Sequence, residues 1–224
     1  NVSFSMNEGD SLGIVGESGS GKSTLAMAIL RLLNPKTAKV TGNIDFMGHE
    51  LLSLPVEELN KLRWKEISVV FQKSMNALSP IHKIGEQLED IYRVHYEKAT
   101  KEEIREVVME LFRLVNLSDR VYDLYPHELS GGMLQRTSIA LGLLLKPSLI
   151  ILDEATTALD VVTQGQILRE ICKLEEEIKM TRIMITHDIS VVASSCQKVA
   201  VMYAGRMMEM GMVKDVLLKP SHPY

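Results

Sequence analysis

A glycine-rich octapeptide constrains the fold of this chain more than any other feature of its sequence. Residues 16–23 read Gly-Glu-Ser-Gly-Ser-Gly-Lys-Ser and match the pattern GxxxxGK[ST] at every fixed position. The apolar run before it, residues 12–15, predicts a buried strand, and residues 22–33 predict a helix that ends at Asn34-Pro35. A strand, a glycine-rich loop and a helix in this order predict an α/β fold built on a parallel sheet.

The same octapeptide predicts a phosphate site, and we call it the phosphate loop. Its glycines let the backbone curl so that successive amides point at phosphate oxygens, and the following helix adds the positive end of its dipole. Lys22 can neutralise the β- and γ-phosphates of a nucleotide, and the Ser23 hydroxyl can ligate Mg2+. The alternative, a flexible Gly/Ser turn with a solvated lysine, does not account for the flanking strand and helix.

Charge and composition exclude several classes of protein. The 224 residues carry 25 Lys and Arg against 29 Asp and Glu, so no overall positive field gathers nucleic acid, and we expect no nucleic-acid partner. The longest uninterrupted apolar stretch, residues 139–145, is far shorter than the ~20 residues of a membrane-spanning helix. Cys172 and Cys196 lack a CxxC or metal-type spacing, which indicates reduced thiols in a cytosolic protein.

Further elements are predicted on both sides of the middle of the chain. Residues 40–46 alternate between apolar and polar side chains before a turn at Gly48, which predicts a small antiparallel arm. Three later strand-like runs complete the predicted sheet: residues 149–152, 183–186 and 199–203.

The middle of the chain predicts helices. Thr100 and Glu103 have the spacing of a capping box, and apolar residues at helical intervals extend the predicted helix to about Val115. Residues 74–145 contain no convincing strand, so we predict a helical subdomain inserted into the α/β core. Residues 1–224 are then one domain.

Two adjacent carboxylates follow the predicted strand of residues 149–152. Open α/β sheets bind their ligands at the carboxyl ends of strands, where Asp153 and Glu154 would lie. Asp153 is suited to hold Mg2+, and Glu154 to orient and polarise an attacking water. Such a pair is also common at helix N-termini and in surface turns, but the phosphate loop upstream favours hydrolysis.

Four further motifs carry a resemblance to a known family. Residues 129–136 read Leu-Ser-Gly-Gly-Met-Leu-Gln-Arg, in which Ser130 can cap a helix and the glycines expose amides. This segment resembles the LSGGQ-type signature of ABC ATPases. Gln72 resembles the Q-loop glutamine, residues 157–160 (Thr-Ala-Leu-Asp) resemble the D-loop, and His187 resembles the switch histidine. With the phosphate loop and the acidic strand end, six motifs stand in the order of that family.

The resemblance implies a fold and a set of site residues. The fold is a P-loop NTPase (RecA-like) core with an antiparallel β arm and an inserted helical subdomain. The implied ATP-binding residues are Gly16, Glu17, Ser18, Gly19, Ser20, Gly21, Lys22, Ser23, Thr24, Gln72, Ser130, Gly131, Gly132, Asp160 and His187. The implied Mg2+ ligands are Ser23, Gln72 and Asp153, and the implied catalytic residues are Glu154, His187, Lys22 and Gln72. Ser130 and Gly132 would act on the ATP of a partner subunit, so hydrolysis would need a homodimer or heterodimer of such ATPases.

Three stretches resemble the ATPases of dipeptide, oligopeptide and nickel importers: residues 74–80, 201–206 and 220–224. Some members of that branch import oligosaccharides. The resemblance implies transmembrane permease subunits, an indirect extracytoplasmic solute-binding protein, and a peripheral position on the cytoplasmic side of the cell membrane. Ala155 replaces a frequent proline of the family. We expect its N-terminal strand, with the adenine-stacking aromatic residue, and its C-terminal extension to be absent from this chain.

Alternative interpretations remain at this stage. A soluble ABC ATPase of DNA repair or translation is disfavoured because the chain has neither a long coiled-coil insertion nor a second cassette. A regulatory subunit without hydrolysis would lack Glu154, His187 or Ser130, all of which are present. Met75, Leu78 and Ile81 either form a docking groove for a membrane subunit or pack beneath the helical insertion.

Overall fold

The computed structural model describes residues 2–72, 78–157 and 159–224. Within these residues the strands are β1 (Ser11–Val15), β2 (Asp45–Phe46), β3 (His49–Glu50), β4 (Ile67–Val70), β5 (Leu149–Asp153), β6 (Thr181–Ile185), β7 (Lys198–Tyr203) and β8 (Arg206–Met212). The helices are α1 (Lys22–Ile29), α2 (Val56–Leu62), α3 (Ile84–His95), α4 (Lys101–Leu114), α5 (Gly131–Leu143), α6 (Val161–Ile178), α7 (Ile189–Ser195) and α8 (Val213–Leu218). None of the described helices has the length and apolar character needed to cross a membrane.

Six of the described strands form one sheet in the order β4-β5-β6-β1-β7-β8. The first five are parallel, and β8 runs antiparallel to β7 at the edge. Every residue of β1 and β5 is buried, as expected for parallel strands covered on both faces. The predicted α/β fold with a parallel sheet is confirmed.

The two larger apolar clusters among the described residues hold the layers together. One includes Phe112 and Ile139 of the helical segment and Leu152 of the sheet. The other joins Leu12 of β1 to Leu51, beyond the small two-stranded sheet of β2 and β3. Removal of apolar surface from water in each cluster stabilises the folded chain, so helices and loops are held against both faces of the sheet.

The described part of the middle segment is helical. Between Leu78 and Leu145 it contains α3, α4, α5 and two 3-10 helices (Asp119–Asp123 and Pro126–Glu128), and no strand. The predicted capping box is present: Thr100 Oγ1 accepts a hydrogen bond from Glu103 N at 3.2 Å, and Glu103 Oε2 accepts one from Thr100 N at 2.8 Å. These contacts satisfy amides that lack partners inside α4, and the helix ends at Leu114 as predicted.

Some predicted boundaries are wrong. Helix α1 ends at Ile29 and does not reach residue 33, because Arg31 adopts a left-handed backbone (φ 52°) that a helix cannot continue. The predicted arm exists, but its strands have only two residues each. Strands β4 and β8 were not among the predicted strands; β8 is methionine-rich and only partly buried, so it lacks the apolar run of an inner strand.

Candidate active site

Four groups of predicted site residues follow four neighbouring strands of the sheet. Gly16 comes directly after β1, Gln72 shortly after β4, Asp153 ends β5 with Glu154 next to it, and His187 follows β6. Since these strands are adjacent in the order β4-β5-β6-β1 and parallel, their carboxyl ends share one edge. The fold therefore gathers motifs that are far apart in the sequence.

The phosphate loop has the backbone that its glycines predict. Gly16, Gly19 and Gly21 have positive φ values of 151°, 79° and 98°, a region that residues with side chains rarely adopt. At Gly16 a Cβ atom would lie 2.1 Å from the carbonyl oxygen of Met202, so only glycine fits. The loop then enters α1 at Lys22, where free helix amides favour an anion.

Lys22 is a buried cation with neutral partners. Its side chain donates hydrogen bonds from Nζ to Gly16 O at 2.8 Å, Glu17 O at 2.9 Å and Ser20 Oγ at 3.4 Å, and the residue is only 6% exposed. No ion pair between described residues involves Lys22. A buried ammonium whose hydrogen-bond partners are all neutral favours an anion that can replace them, so the loop fits a phosphate group.

Ser23 and Asp153 form an oxygen pair next to the loop. Ser23 Oγ donates a hydrogen bond to Asp153 Oδ1 at 3.1 Å. Burial raises the pKa of Asp153 and the charge of Glu154 adds to this effect, whereas the Ser23 hydrogen bond and the charge of Lys22 oppose it. No cluster of three or more His, Cys, Asp or Glu side chains is placed to hold a metal in the described part of the chain. The pair fits Mg2+, which usually takes one or two protein oxygens together with substrate phosphates and water.

Glu154 connects two further predicted residues. Gln72 Nε2 donates a hydrogen bond to Glu154 Oε2 at 2.7 Å, and His187 Nδ1 lies 3.4 Å from Glu154 Oε1. Glu154 itself has a left-handed backbone (φ 50°), and its amide donates to Ile185 O at 2.8 Å. His187 is 65% exposed in its side chain, so this carboxylate and imidazole can meet a ligand from solvent. Gln72 is thus hydrogen-bonded to Glu154. The predicted role of Gln72 as a Mg2+ ligand stays a prediction.

The signature and D-loop residues lie apart from this cluster. Ser130 Oγ accepts a hydrogen bond from Met133 N at 3.3 Å and caps α5, with Gly131 exposed and Gly132 half-buried. Asp160 Oδ1 accepts one from Thr163 N at 3.0 Å and caps α6, and these contacts hold the pKa of Asp160 below its usual range. Between described residues, no hydrogen bond joins either cap to the phosphate loop.

The remaining predicted residues are solvent-facing or outside the described part. Glu17, Ser18 and Thr24 are exposed. The predictions on residues 74–77, which include Met75, and on Ala158 of the D-loop lie outside the described residues. Of the apolar residues considered for docking, Leu78 packs in the larger core cluster and Ile81 is 75% exposed.

Sequence reasoning missed one neighbour of the phosphate loop. The turn between β7 and β8 donates a hydrogen bond from Gly205 N to Ser20 O at 2.9 Å, and Met202 O of β7 lies against Gly16. The Ala-Gly dipeptide at residues 204–205 signals a turn, but nothing in the sequence indicates what it touches.

Comparison with known proteins identifies the family. A family described as "ABC transporter" matches residues 1–157. The probable peptide ABC transporter ATP-binding protein y4tR of Sinorhizobium fredii is 46% identical over all of this chain, which covers 67% of that protein. The oligopeptide transport ATP-binding protein OppD of Escherichia coli is 47% identical, again over all of this chain and 66% of its own length. The chain spans about two thirds of the length of these relatives.

Solved structures agree with this match. A dimeric post-hydrolysis state of the ATP-binding cassette MJ0796, bound to ADP and Pi, superposes with a TM-score of 0.86 at 32% identity, over 95% of this chain and 89% of that chain. The cbiO1 protein from Clostridium perfringens, part of the ABC transporter complex cbiONQ, gives 0.79 at 28% identity, over 97% and 83%. Because the sequence match, the sheet order and the site geometry agree, the chain belongs to the ABC transporter family and has the fold of its ATPase subunits.

Proposed function

We propose that this chain is the ATP-hydrolysing subunit of a peptide importer and that hydrolysis takes place around Glu154. The observation that carries the proposal is the arrangement of this carboxylate between Gln72 and His187, beside the Ser23–Asp153 pair. Four strands must end at one edge for these groups to meet. A site for nucleotide binding alone would need the phosphate loop but not this second carboxylate.

Binding is attributed to the loop and to the oxygen pair. The phosphates of ATP would lie on the amides of residues 16–21, and Lys22 would exchange its carbonyl partners for phosphate oxygens. Ser23 and Asp153 would hold Mg2+, which supplies positive charge that counters the charge of the phosphates.

Hydrolysis is attributed to the side chains at the ends of β5 and β6. Glu154 would accept a proton from water as the water oxygen bonds to the γ-phosphorus and the bond to the ADP oxygen breaks. His187 would position the γ-phosphate and the water from the exposed side. Gln72 is held on Glu154 by its amide and lies just before the helical segment, so it would connect the site to that segment.

A second subunit would complete the site. The start of α5 is formed by Ser130, Gly131 and Gly132, and its free amides suit an anion. No described hydrogen bond joins these residues to the phosphate loop of their own chain. Near the cap residue Asp160, the apolar side chains of Val161 and Val162 are exposed. Exposed apolar residues beside this cap support a dimer interface there, with an identical or a different ATPase subunit.

The transported solute is inferred from the relatives. Peptide or oligopeptide transport appears in the names of y4tR and OppD, and a dipeptide transport ATP-binding protein DppD of Lactococcus lactis is 43% identical over all of this chain. We therefore infer peptides as the solute class, ahead of nickel or oligosaccharides. Permease subunits would contact the segment around the exposed Ile81, with the chain peripheral to the cytoplasmic face and a solute-binding protein acting indirectly. Residues 1–224 would form one nucleotide-binding domain, with residues 74–145 as its helical subdomain.

The test uses the full-length protein co-purified from membranes with its bound subunits and reconstituted in vesicles. Addition of peptide with the solute-binding protein should raise Mg2+-dependent ATP turnover, and Ser23→Ala should abolish that turnover. Ser53→Ala, an exposed serine of the β3–α2 connection, is the matched control and should retain it. Co-purification of no membrane subunit, or stimulation by nickel or an oligosaccharide and not by peptides, would contradict the proposed transport role.

A further inference from the structure

We infer that the turn between β7 and β8, residues 204–205, positions the phosphate loop for ATP from outside the site, and that Gly205 is a positioning residue for ATP binding. We call these two residues the brace turn. The inference rests on the proposed nucleotide site, because it concerns the shape of that loop.

The brace turn and the end of β7 contact the phosphate loop near both of its ends. Gly205 N donates a hydrogen bond to Ser20 O at 2.9 Å. At the start of the loop, Met202 O lies so close to Gly16 that an added Cβ would be 2.1 Å away. At its end, a Cβ on Gly21 would lie 3.6 Å from Gly205 Cα. A displacement of the turn must therefore displace the loop.

Ser20 transmits the contact to the phosphate-binding cation. Its carbonyl accepts the hydrogen bond from Gly205, and its buried hydroxyl accepts one from Lys22 Nζ at 3.4 Å. One residue is thus held by the brace turn on one side and by the ammonium on the other. If the turn moves, the ammonium loses one of its three partners and the loop amides lose their common direction.

The conformation of the turn depends on its glycine. Tyr203 pairs with Arg206, so the loop has two residues, and Ala204 and Gly205 have positive φ values of 45° and 74°. Such two-residue turns require positive φ at both positions, which β-branched residues adopt only with strain. The Tyr203 ring also packs on the Tyr224 ring with centroids 4.7 Å apart, so the turn is fixed on its outer side. Gly205 is therefore the residue at which the brace can be loosened selectively.

The chain contains a matched control turn. Strands β2 and β3 are joined by Met47 and Gly48, with φ values of 52° and 80°, and Phe46 pairs with His49. An added Cβ meets no atom within 4 Å at either Gly48 or Gly205. Gly205→Val and Gly48→Val therefore place a β-branched residue at similar positive φ values with no clash at Cβ. Only the turn at Gly205 touches the phosphate loop.

The experiment measures ATP affinity of the full-length protein by calorimetry with a chelator present, together with Tm and steady-state turnover. Both valine variants should lower Tm by similar amounts, about 2–4 °C. Gly205→Val should raise the dissociation constant for ATP about tenfold, or about 1.4 kcal/mol, while Gly48→Val leaves it unchanged. Turnover at saturating Mg-ATP should change less than the KM. Gly205→Asn should retain near wild-type affinity, because asparagine adopts positive φ with less strain than valine.

The milder Gly205→Ala variant keeps the test decisive if the valine protein does not fold, with an expected loss of affinity of about threefold. Wild-type ATP affinity in folded Gly205→Val or Gly205→Ala, or an equal loss in Gly48→Val, would overturn the inference and leave the proposed function standing. Failure of the wild-type protein to bind ATP would overturn the proposed nucleotide site itself.

Discussion

Replacement of Asp153 by asparagine should make the nucleotide-free protein more stable while it abolishes activity. Asp153 is a carboxylate only 3% exposed, with one hydrogen bond from Ser23. Burial is the main cause that raises its pKa, so the folded chain binds the proton more readily than the unfolded chain does. The contribution of Asp153 to folding stability is therefore fully present at low pH, where the carboxyl is protonated, and is lost as the pH rises through its folded-state pKa. At neutral pH the buried charge destabilises the fold.

The magnitude follows from what asparagine keeps and removes. The amide oxygen can still accept the Ser23 hydrogen bond, whereas the buried charge disappears. Removal of a buried charge from a functional site typically increases the free energy of unfolding by about 1 kcal/mol, which raises Tm by about 2–4 °C in a domain of this size. The same change removes the anionic oxygen proposed for Mg2+, whose contribution to transition-state charge is several kcal/mol, so turnover should fall by about two orders of magnitude or more.

Thermal unfolding at neutral pH without nucleotide, and Mg-ATP turnover, measure the two effects separately. The stability difference between Asp153→Asn and wild type should shrink as the pH falls to about 3, below the ordinary aspartate pKa of about 3.9, where the carboxyl is protonated in both states. Asp90→Asn, an exposed aspartate of α3, is the control and should change neither quantity. A variant less stable than wild type at neutral pH, or one with normal turnover, would refute this reasoning.

Three further predictions follow from single side chains. Lys22→Ala should weaken ATP binding at least about tenfold in calorimetry, since it removes the buried cation of the loop, and unchanged affinity would contradict the phosphate-loop assignment. Ser130→Arg should leave ATP binding to one subunit nearly intact but block hydrolysis; equal loss of both would rule out action in the partner's site. Backbone hydrogen bonds from Ser221 and His222 lower the pKa of the Glu209 carboxyl. These hydrogen bonds should therefore stabilise the end of the chain above the usual carboxyl pKa, and this stabilisation should be lost as the pH falls through the lowered pKa of Glu209. Hydrogen exchange should show these two amides losing protection in Glu209→Ala at neutral pH, and retained protection would refute the contact.

The sequence predicted where part of the site would lie, because the phosphate loop, the Asp153-Glu154 pair and His187 each follow a predicted strand. Parallel strands share an edge, so the carboxylates after β5 and the histidine after β6 had to face the phosphate loop. The hydrogen bond from Gln72 to Glu154 could not be predicted, because it depends on side-chain conformations of residues from different strands. The role of Gln72 as a metal ligand and the action of Ser130 in a second subunit remain predictions.

The structural features that prediction missed have different physical causes. Strand β8 is partly exposed and rich in methionine, so its sequence shows neither the apolar run nor the alternation that marks a strand. The end of α1 depends on the left-handed backbone of Arg31, a residue that does not usually adopt it. The contact between Gly205 and Ser20 joins residues far apart in the chain, and only the pairing of β7 with β1 brings them together.

The central claim is that Glu154 activates water in a site that two subunits share, and turnover of Glu154→Gln tests it most directly. Glutamine keeps the size and part of the hydrogen bonding to Gln72 but removes the negative charge. We expect ATP still to bind, turnover to fall by about two or more orders of magnitude, and an ATP-bound dimer to accumulate in light scattering with Mg-ATP. If the partner is a different subunit, the dimer should form only after that subunit is added. Wild-type turnover by the variant would contradict the assignment of Glu154 as the base, and wild-type activity that stays constant on dilution far below dimer formation would contradict the shared site.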